Sequence, residues 1–278
     1  MTHLLDAPGA AAPAVDRRAP RDVTLVRALH AEWIRFAGLR SSWATIGLTL
    51  FVSLGLGALV SNGSGRTFAG LTAADQASFD PTFVSLHGVD ILGQLPLAAL
   101  AILVITSEYA TGTIRGTFTA APGRRTVFAA KALLVAGVAF VVAEVASFGS
   151  YLIGQALLAM HDGVPHTTLA QPHVLRAVAG SGVILTVCAL LGLALGALLR
   201  ATAGALTVLT TATLLIPLLA GLLPDWLATW WPPTAGSQLT RVVPLPGAAP
   251  PWSGLAVLVA AVAAVLLAAV VTLRRRDA

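Results

Sequence analysis

Long apolar runs recur six times along this chain, and nothing else in the sequence limits its fold so strongly. They lie near Trp43 to Val60, Val89 to Thr106, Val127 to Met160, Ala177 to Leu199, Ala203 to Leu223 and Gly254 to Leu273. A helix needs roughly 17 to 25 such residues to cross about 30 Å of hydrocarbon. Lipid offers the backbone no hydrogen bonds, so only helices or closed barrels can span it. These runs are continuously apolar rather than alternating with a period of two, which selects helices. Composition agrees: 56% of residues are hydrophobic and 10% charged, against roughly 25% charged in soluble domains. The expected fold is an all-α integral membrane protein of six transmembrane helices. Gln94 and Pro96 interrupt the second run, and the third is long enough to protrude or to break. No charge-rich block could form a separate soluble domain, so residues 43-278 are read as one transmembrane unit.

The basic residues set the orientation, because Lys and Arg beside a span stay on the cytoplasmic side. With both termini inside, the inner set is Arg17, Arg18, Arg21, Arg27, Arg35, Arg40, Arg115, Arg124, Arg125, Lys131, Arg200, Arg274, Arg275 and Arg276, leaving only Arg66, Arg176 and Arg241 outside. Trp33 and Trp43 then mark the inner interface, and Trp226, Trp230, Trp231 and Trp252 the outer one. The net charge of +5 is dispersed at span ends, so nucleic acid is not an expected partner. Cys188 stands alone in an apolar run and has no disulfide partner within the chain. The expected location is the cytoplasmic membrane of a bacterium.

Two segments break the apolar pattern. After an Ala- and Pro-rich tail, residues 1-22, expected to be disordered, residues 23-42 read as an amphipathic helix lying on the inner leaflet. Leu25, Val26, Leu29, Trp33, Phe36 and Ala37 share one face, Arg27, His30 and Arg35 lie elsewhere, and Glu32 stands at the edge. An ordinary juxtamembrane segment with topogenic arginines is the alternative. The second segment joins spans two and three. Ser107 and Glu108 end one helix, and Gly112 and Thr113 permit a turn and a new start. Ile114 and Phe118 then place an apolar stripe at i, i+4, and Pro122 and Gly123 stop it before Arg124, Arg125 and Lys131. A short helix of this kind, held between two spans, can dock in a groove of a soluble partner and carry its movement into both. A passive turn is the other reading.

The run Glu108, Gly112, Thr113, Arg115, Pro122, Arg125 and Lys131 resembles the loop block between the second and third spans of type 2 ABC transporter permeases. "AEWIRFAGLRSSW" looks like that family's N-terminal interfacial segment, with Glu32 and Trp33 within it. "LGLALGALLRATAGAL" looks like its tight cytoplasmic turn between spans four and five, and "LRRRDA" like a terminus common in the family. The resemblance runs from about residue 24 to the end. Before Arg124 this chain has Gly123, a departure from the family pattern. The resemblance implies a six-span half of a dimeric exporter, paired with a second copy or a paralogue. Its short cytoplasmic coupling helix would seat in a separate ATPase subunit, which would use ATP and Mg. No cofactor is expected on this chain itself: its one lysine, Lys131, follows Ala130, whereas a phosphate-cradling loop needs Gly-Lys. It is therefore not expected to be an enzyme.

Glu144 lies thirteen residues beyond Lys131, about 20 Å along a helix, and so deep in hydrocarbon. A carboxylate there is a functional hypothesis by default. It could line the route of a cationic, drug-like or other amphiphilic substrate, or be a protonated packing residue. The first outer loop, Ser61 to Gly88, carries Asp75, Asp80 and His87 without metal-ligand spacing, and is read as solvated polypeptide. Pro224 to Trp252 is either a re-entrant cap or an irregular loop anchored by tryptophans. A secondary transporter and a non-transport membrane scaffold are the competing functional readings. A membrane-embedded enzyme finds too few convergent catalytic side chains: His161, Asp162 and His166 cluster outside without a matching span motif, and no metal site is expected.

Overall fold

The computed structural model describes residues 24–110 and 124–276. The described residues are mostly helical, with no strand among them. Helix α1, Leu25–Gly38, starts with Thr24 accepting a hydrogen bond from Arg27 N and ends where Leu39 turns extended. Helix α2, Arg40–Thr67, follows after that single residue. A short α3, Ala73–Ala77, leads to α4, Pro81–Gly88. A widened π turn over Val89–Gly93 joins α4 to α5, Gln94–Ala110. Beyond residue 123 come α6, Arg124–Leu158, and α7, Val174–Leu199. Helix α8, Thr202–Thr210, passes through a second π turn, Thr211–Leu215, into one last turn, α9, Ile216–Leu218. Two short helices, α10, Asp225–Trp230, and α11, Pro232–Ser237, precede the final α12, Pro251–Arg276.

Five helical stretches are long and apolar enough to cross a membrane: Arg40–Gly70, Pro81–Ala110, Arg125–Leu158, Val174–Leu199 and Pro251–Leu273. This is the architecture of an α-helical membrane protein. The remaining expected span, Ala203 to Leu223, forms only the 17-residue stretch Thr202–Leu218. At 1.5 Å per residue that is about 25 Å, short of the hydrocarbon thickness. Pro217, which lacks an N–H, falls in its last turn, and the chain leaves the helix at Leu219. The third span does not break. It runs 35 residues without interruption.

The reading of Ser61 to Gly88 as solvated polypeptide is corrected at both ends, while most residues from Arg66 to Ser78 are exposed. Helix α2 continues through the Ser, Asn and Gly residues to Thr67, and the second long helix starts at Pro81 rather than Val89. The cause is local and tertiary. Asp80 caps Phe83 N at 3.0 Å, with Pro81 in the first turn, a strong start signal. Ser61, Asp80, Thr82 and Ser85 are buried between helices, whereas Arg66, Thr72, Asp75 and Ser78 are exposed. Ser150 Oγ donates to Ser85 O at 2.7 Å, and Gln155 Nε2 donates to Pro81 O and Ser85 Oγ, both at 2.9 Å. Small residues let the backbones meet here: a Cβ on Gly88 would fall 2.5 Å from Ser53 O and against Gly57 N. Close approach of this kind is how helices gain contact where lipid gives no hydrophobic drive.

The segment from Pro224 to Trp252 is helical over Asp225–Trp230, Pro232–Ser237 and Gln238–Thr240 and irregular over residues 241–250. Ala235, Gln238, Leu239 and Thr240 are buried, packed against α7 and α12, and Trp231 Nε1 donates to Ala212 O at 2.8 Å inside the second π turn. The main apolar core lies between α5, α6 and α7, around Leu97, Ala143, Leu185 and Leu193.

Candidate functional site

Charged side chains meet inside the bundle where α1, α5 and α6 come together. Lys131 Nζ lies 2.6 Å from Glu32 Oε2 and 2.6 Å from Glu108 Oε1. Arg35 Nη1 bonds Glu108 Oε1 and stands 3.6 Å from Glu32 Oε1. Glu32, Glu108 and Lys131 are buried, and only Arg35 reaches the surface. Two carboxylates against two cations leave the cluster neutral, which is what a buried ionic group requires. Each helix supplies a member because of where its polar residues fall: Glu32 and Arg35 are one turn apart on α1, Glu108 is in the last turn of α5, and Lys131 is two turns into α6.

The described chain stops at Ala110 and resumes at Arg124. Glu108 and Lys131 therefore tie together the helices on either side of residues 111–123. The expected coupling residues Gly112, Thr113, Ile114, Arg115, Phe118 and Pro122 lie outside the described residues, as does the tail, residues 1-22. Arg124 opens α6, and Arg125 beside it is exposed.

Helix α1 differs from its expected orientation. The side chains turned into the protein are Ala28, Glu32 and Phe36, spaced i, i+4, i+8. Glu32 is thus central to the packed face rather than at its edge. Val26, Trp33 and Ile34 remain exposed, with Trp33 stacked on Phe36 at 6.2 Å. Between α1, the start of α2 and the middle of α6 lies a cavity of about 620 Å3, lined by apolar residues including Leu29, Trp33, Trp43 and Val138, with His30 among its polar neighbours.

The end of α5 is also tied to the turn between α7 and α8. Arg200, in the left-handed region at φ 55°, closes α7, and its guanidinium lies 4.9 Å from the Tyr109 ring centroid. Thr202 Oγ1 donates to Thr106 Oγ1 at 2.8 Å. At the opposite end, Asp80 Oδ2 accepts Val242 N at 2.7 Å and Val243 N at 2.9 Å. Arg241 lies 3.8 Å over the Phe83 ring. Burial pulls the Arg241 guanidinium below its ordinary value, and Asp80 and Asp90 work against that shift.

Glu144 sits apart from the ion cluster, half-buried on α6. It lies against Gly182 of α7, where a Cβ would come 2.5 Å from Glu144 Oε1. Sequence reasoning missed two features. It places Lys131 at the inner end of a span and in the block that begins at Glu108, and misses that the chain's single lysine pairs with two of its three glutamates. Asp90, an acid inside an apolar run, was passed over because it fell at the margin of the expected span.

Comparison of the chain with family models, with curated proteins and with solved structures finds no match in any of the three.

Proposed function

We propose that the chain is the permease subunit of an ATP-binding-cassette exporter, moving an amphiphilic substrate with force supplied by a separate ATPase. The observation that carries this reading is the bridge of Lys131 to Glu32 and Glu108. It joins α1, α5 and α6 directly beside residues 111–123, whose Ile114 and Phe118 form the apolar stripe suited to docking. A push on that segment would be delivered to a braced unit rather than absorbed by loose helix ends. The contacts from Tyr109 and Thr106 to Arg200 and Thr202 extend the brace to α7 and α8.

In this arrangement residues 23-42 lie on the inner leaflet, the termini and residues 111–123 face the cytoplasm, and the short helix Thr202–Leu218, extended by the turn Ala220–Leu222, makes the sixth crossing. The cavity of about 620 Å3 beside α1 is in the size range of small-molecule sites and suits an apolar body entering from the inner leaflet. Glu144 faces Gly182 of α7 rather than this cavity, and its carboxylate would favour cationic amphiphiles along the α6–α7 side of the route. A second permease copy or paralogue completes the transporter.

The test is purification from native membranes with identification of the co-purifying ATPase, followed by Arg115→Ala or deletion of residues 114–118. ATP hydrolysis should lose its response to the permease while the helices remain inserted. An unchanged response in both variants overturns the coupling role. Secondary transport is the second reading, favoured by the π turns that interrupt Pro81–Ala110 and Thr202–Leu218. It predicts transport that persists with a hydrolysis-dead ATPase.

A further inference from the structure

Both π turns open onto one internal chamber of about 120 Å3, on the walls of which lie Asp90, Gln94, Cys188, Thr213 and Thr234. Asp90 belongs to the turn Val89–Gly93 and Thr213 to the turn Thr211–Leu215. Such turns concentrate at functional sites. Three of the polar atoms carried by these residues, Asp90 Oδ2, Thr213 Oγ1 and Thr234 Oγ1, are buried without a hydrogen-bond partner among the described residues. Thr213 is only 6% exposed. Buried polar atoms are almost always bonded. Three orphans around one cavity, all able to present oxygen lone pairs, point to a ligand that wants oxygen.

The charges specify the sign of that ligand. Asp90 Oδ1 accepts Ser181 Oγ at 2.7 Å, which orients the carboxylate and leaves Oδ2 toward other partners. Arg241 is the basic group acting on Asp90, and it is shared with Asp80. Arg176 Nη2 donates to Arg241 O at 2.6 Å, so both guanidiniums belong to the outer segment, and Asp90 is the charged side chain on the chamber wall itself. Pro217, also on the chamber wall, cannot donate to Thr213 O four residues earlier, so helix geometry makes less claim on that carbonyl. Oxygen-rich walls with one carboxylate suit a hard cation of low charge. The chamber has room for about four water molecules at roughly 30 Å3 each, enough for an ion with residual water or a small ammonium group.

We propose that this chamber binds one compact monovalent cation, an alkali ion or a primary ammonium group, through Asp90 Oδ2 and the Thr213 and Thr234 hydroxyl oxygens. Asp90 lies nine residues past Pro81, about 13 Å into its helix, so an ion held there is well inside the bundle. The inference rests on the chamber alone and requires no ATPase partner.

The experiment is thermal unfolding of the purified full chain in detergent at constant ionic strength. NaCl, KCl or methylammonium chloride replaces the bulky salt N-methyl-D-glucamine chloride. A cation that binds only the folded chain raises the midpoint saturably. The expected result is a rise with at least one compact cation that disappears in Thr213→Val and in Asp90→Asn. A response to Na+ or K+ alone identifies an alkali-ion site; a response to methylammonium alone identifies an ammonium site. Each variant is read by its response to salt rather than its own midpoint. Thr213→Val, close in volume, serves where Asp90→Asn does not fold. Identical midpoints in all four salts for the wild-type chain, or an undiminished cation response in Thr213→Val, overturns the proposal.

Discussion

Glu108 and Lys131, separated by 23 positions in the chain, meet at 2.6 Å between Oε1 and Nζ. The contact closes a loop of sequence whose middle, residues 111–123, carries the expected partner-docking stripe. Because Lys131 also holds Glu32 at 2.6 Å, helix α1 cannot leave the bundle without stripping a buried ammonium of one carboxylate. The geometry thus makes α1 and the two helix ends that flank residues 111–123 a single mechanical unit.

Replacing Lys131 tests that unity. Lys131→Met leaves Glu32 and Glu108 buried with only the partly exposed Arg35 to answer them. Removing one partner of a buried pair costs about 3 to 5 kcal/mol, so the variant should unfold far more easily in a denaturant titration. Adding Glu108→Gln removes one of the stranded charges. The double variant should be more stable than the sum of the two single losses by about 0.5 to 3 kcal/mol, as coupled neighbours are. Strict additivity would show that the three charges do not act together.

The apolar runs located the long helices because a span must be greasy wherever it meets lipid. They misplaced the ends of the first two because hydropathy does not register polar residues that face other helices. Thr82 and Ser85 are buried, satisfied by Thr167, by Gln155 and by the Pro81 carbonyl, so a stretch that looked like loop is helix. The signal was present in Asp80-Pro81, a cap followed by a first-turn proline. The ion cluster was legible as separate residues, with Glu32, Glu108 and Lys131 each standing out in an apolar chain. Their pairing was not, since Glu32 and Lys131 are 99 positions apart and only the fold brings them together.

Asp80 is expected to latch the segment after α11. Its Oδ1 caps α4, and its Oδ2 holds the amides of Val242 and Val243. Asp80→Ala removes a cap worth about 1 kcal/mol and two charge-assisted bonds of about 1.5 to 3 kcal/mol each. Hydrogen exchange at Val242 and Val243 should accelerate more than at Leu239, which packs against Leu258 and Val262. Asp80→Asn, which retains an acceptor and caps well, should have a smaller effect. Unchanged exchange at Val242 and Val243 in Asp80→Ala would separate the segment from the carboxylate.

Glycine substitutions should divide by helix face. A Cβ on Gly88 meets backbone, Ser53 O at 2.5 Å and Gly57 N, which cannot swing aside as a side chain can. Gly88→Ala should cost at least the roughly 1 to 3 kcal/mol of an overpacked core. A Cβ on Gly47 meets nothing within 4 Å, so Gly47→Ala should be neutral or gain up to about 1 kcal/mol from helix propensity. Thermal midpoints of the two variants, measured in the same detergent, should move apart. A loss at Gly47 as large as at Gly88 would contradict the packing of α2 against α4.

Cysteine labelling can be read cleanly because Cys188, the chain's one cysteine, is only 2% exposed. A thiol enclosed between α7 and its neighbours should stay unmodified by a maleimide until the protein is denatured. Against that quiet background, Thr113→Cys reports which side of the membrane residues 111–123 face. The positive-inside bias expects modification in inverted vesicles and protection from an impermeant reagent in intact cells. Protection in vesicles with labelling in intact cells would reverse the topology and remove the coupling role with it. Rapid labelling of Cys188 in the native wild-type protein would instead mean that the α7 packing is wrong.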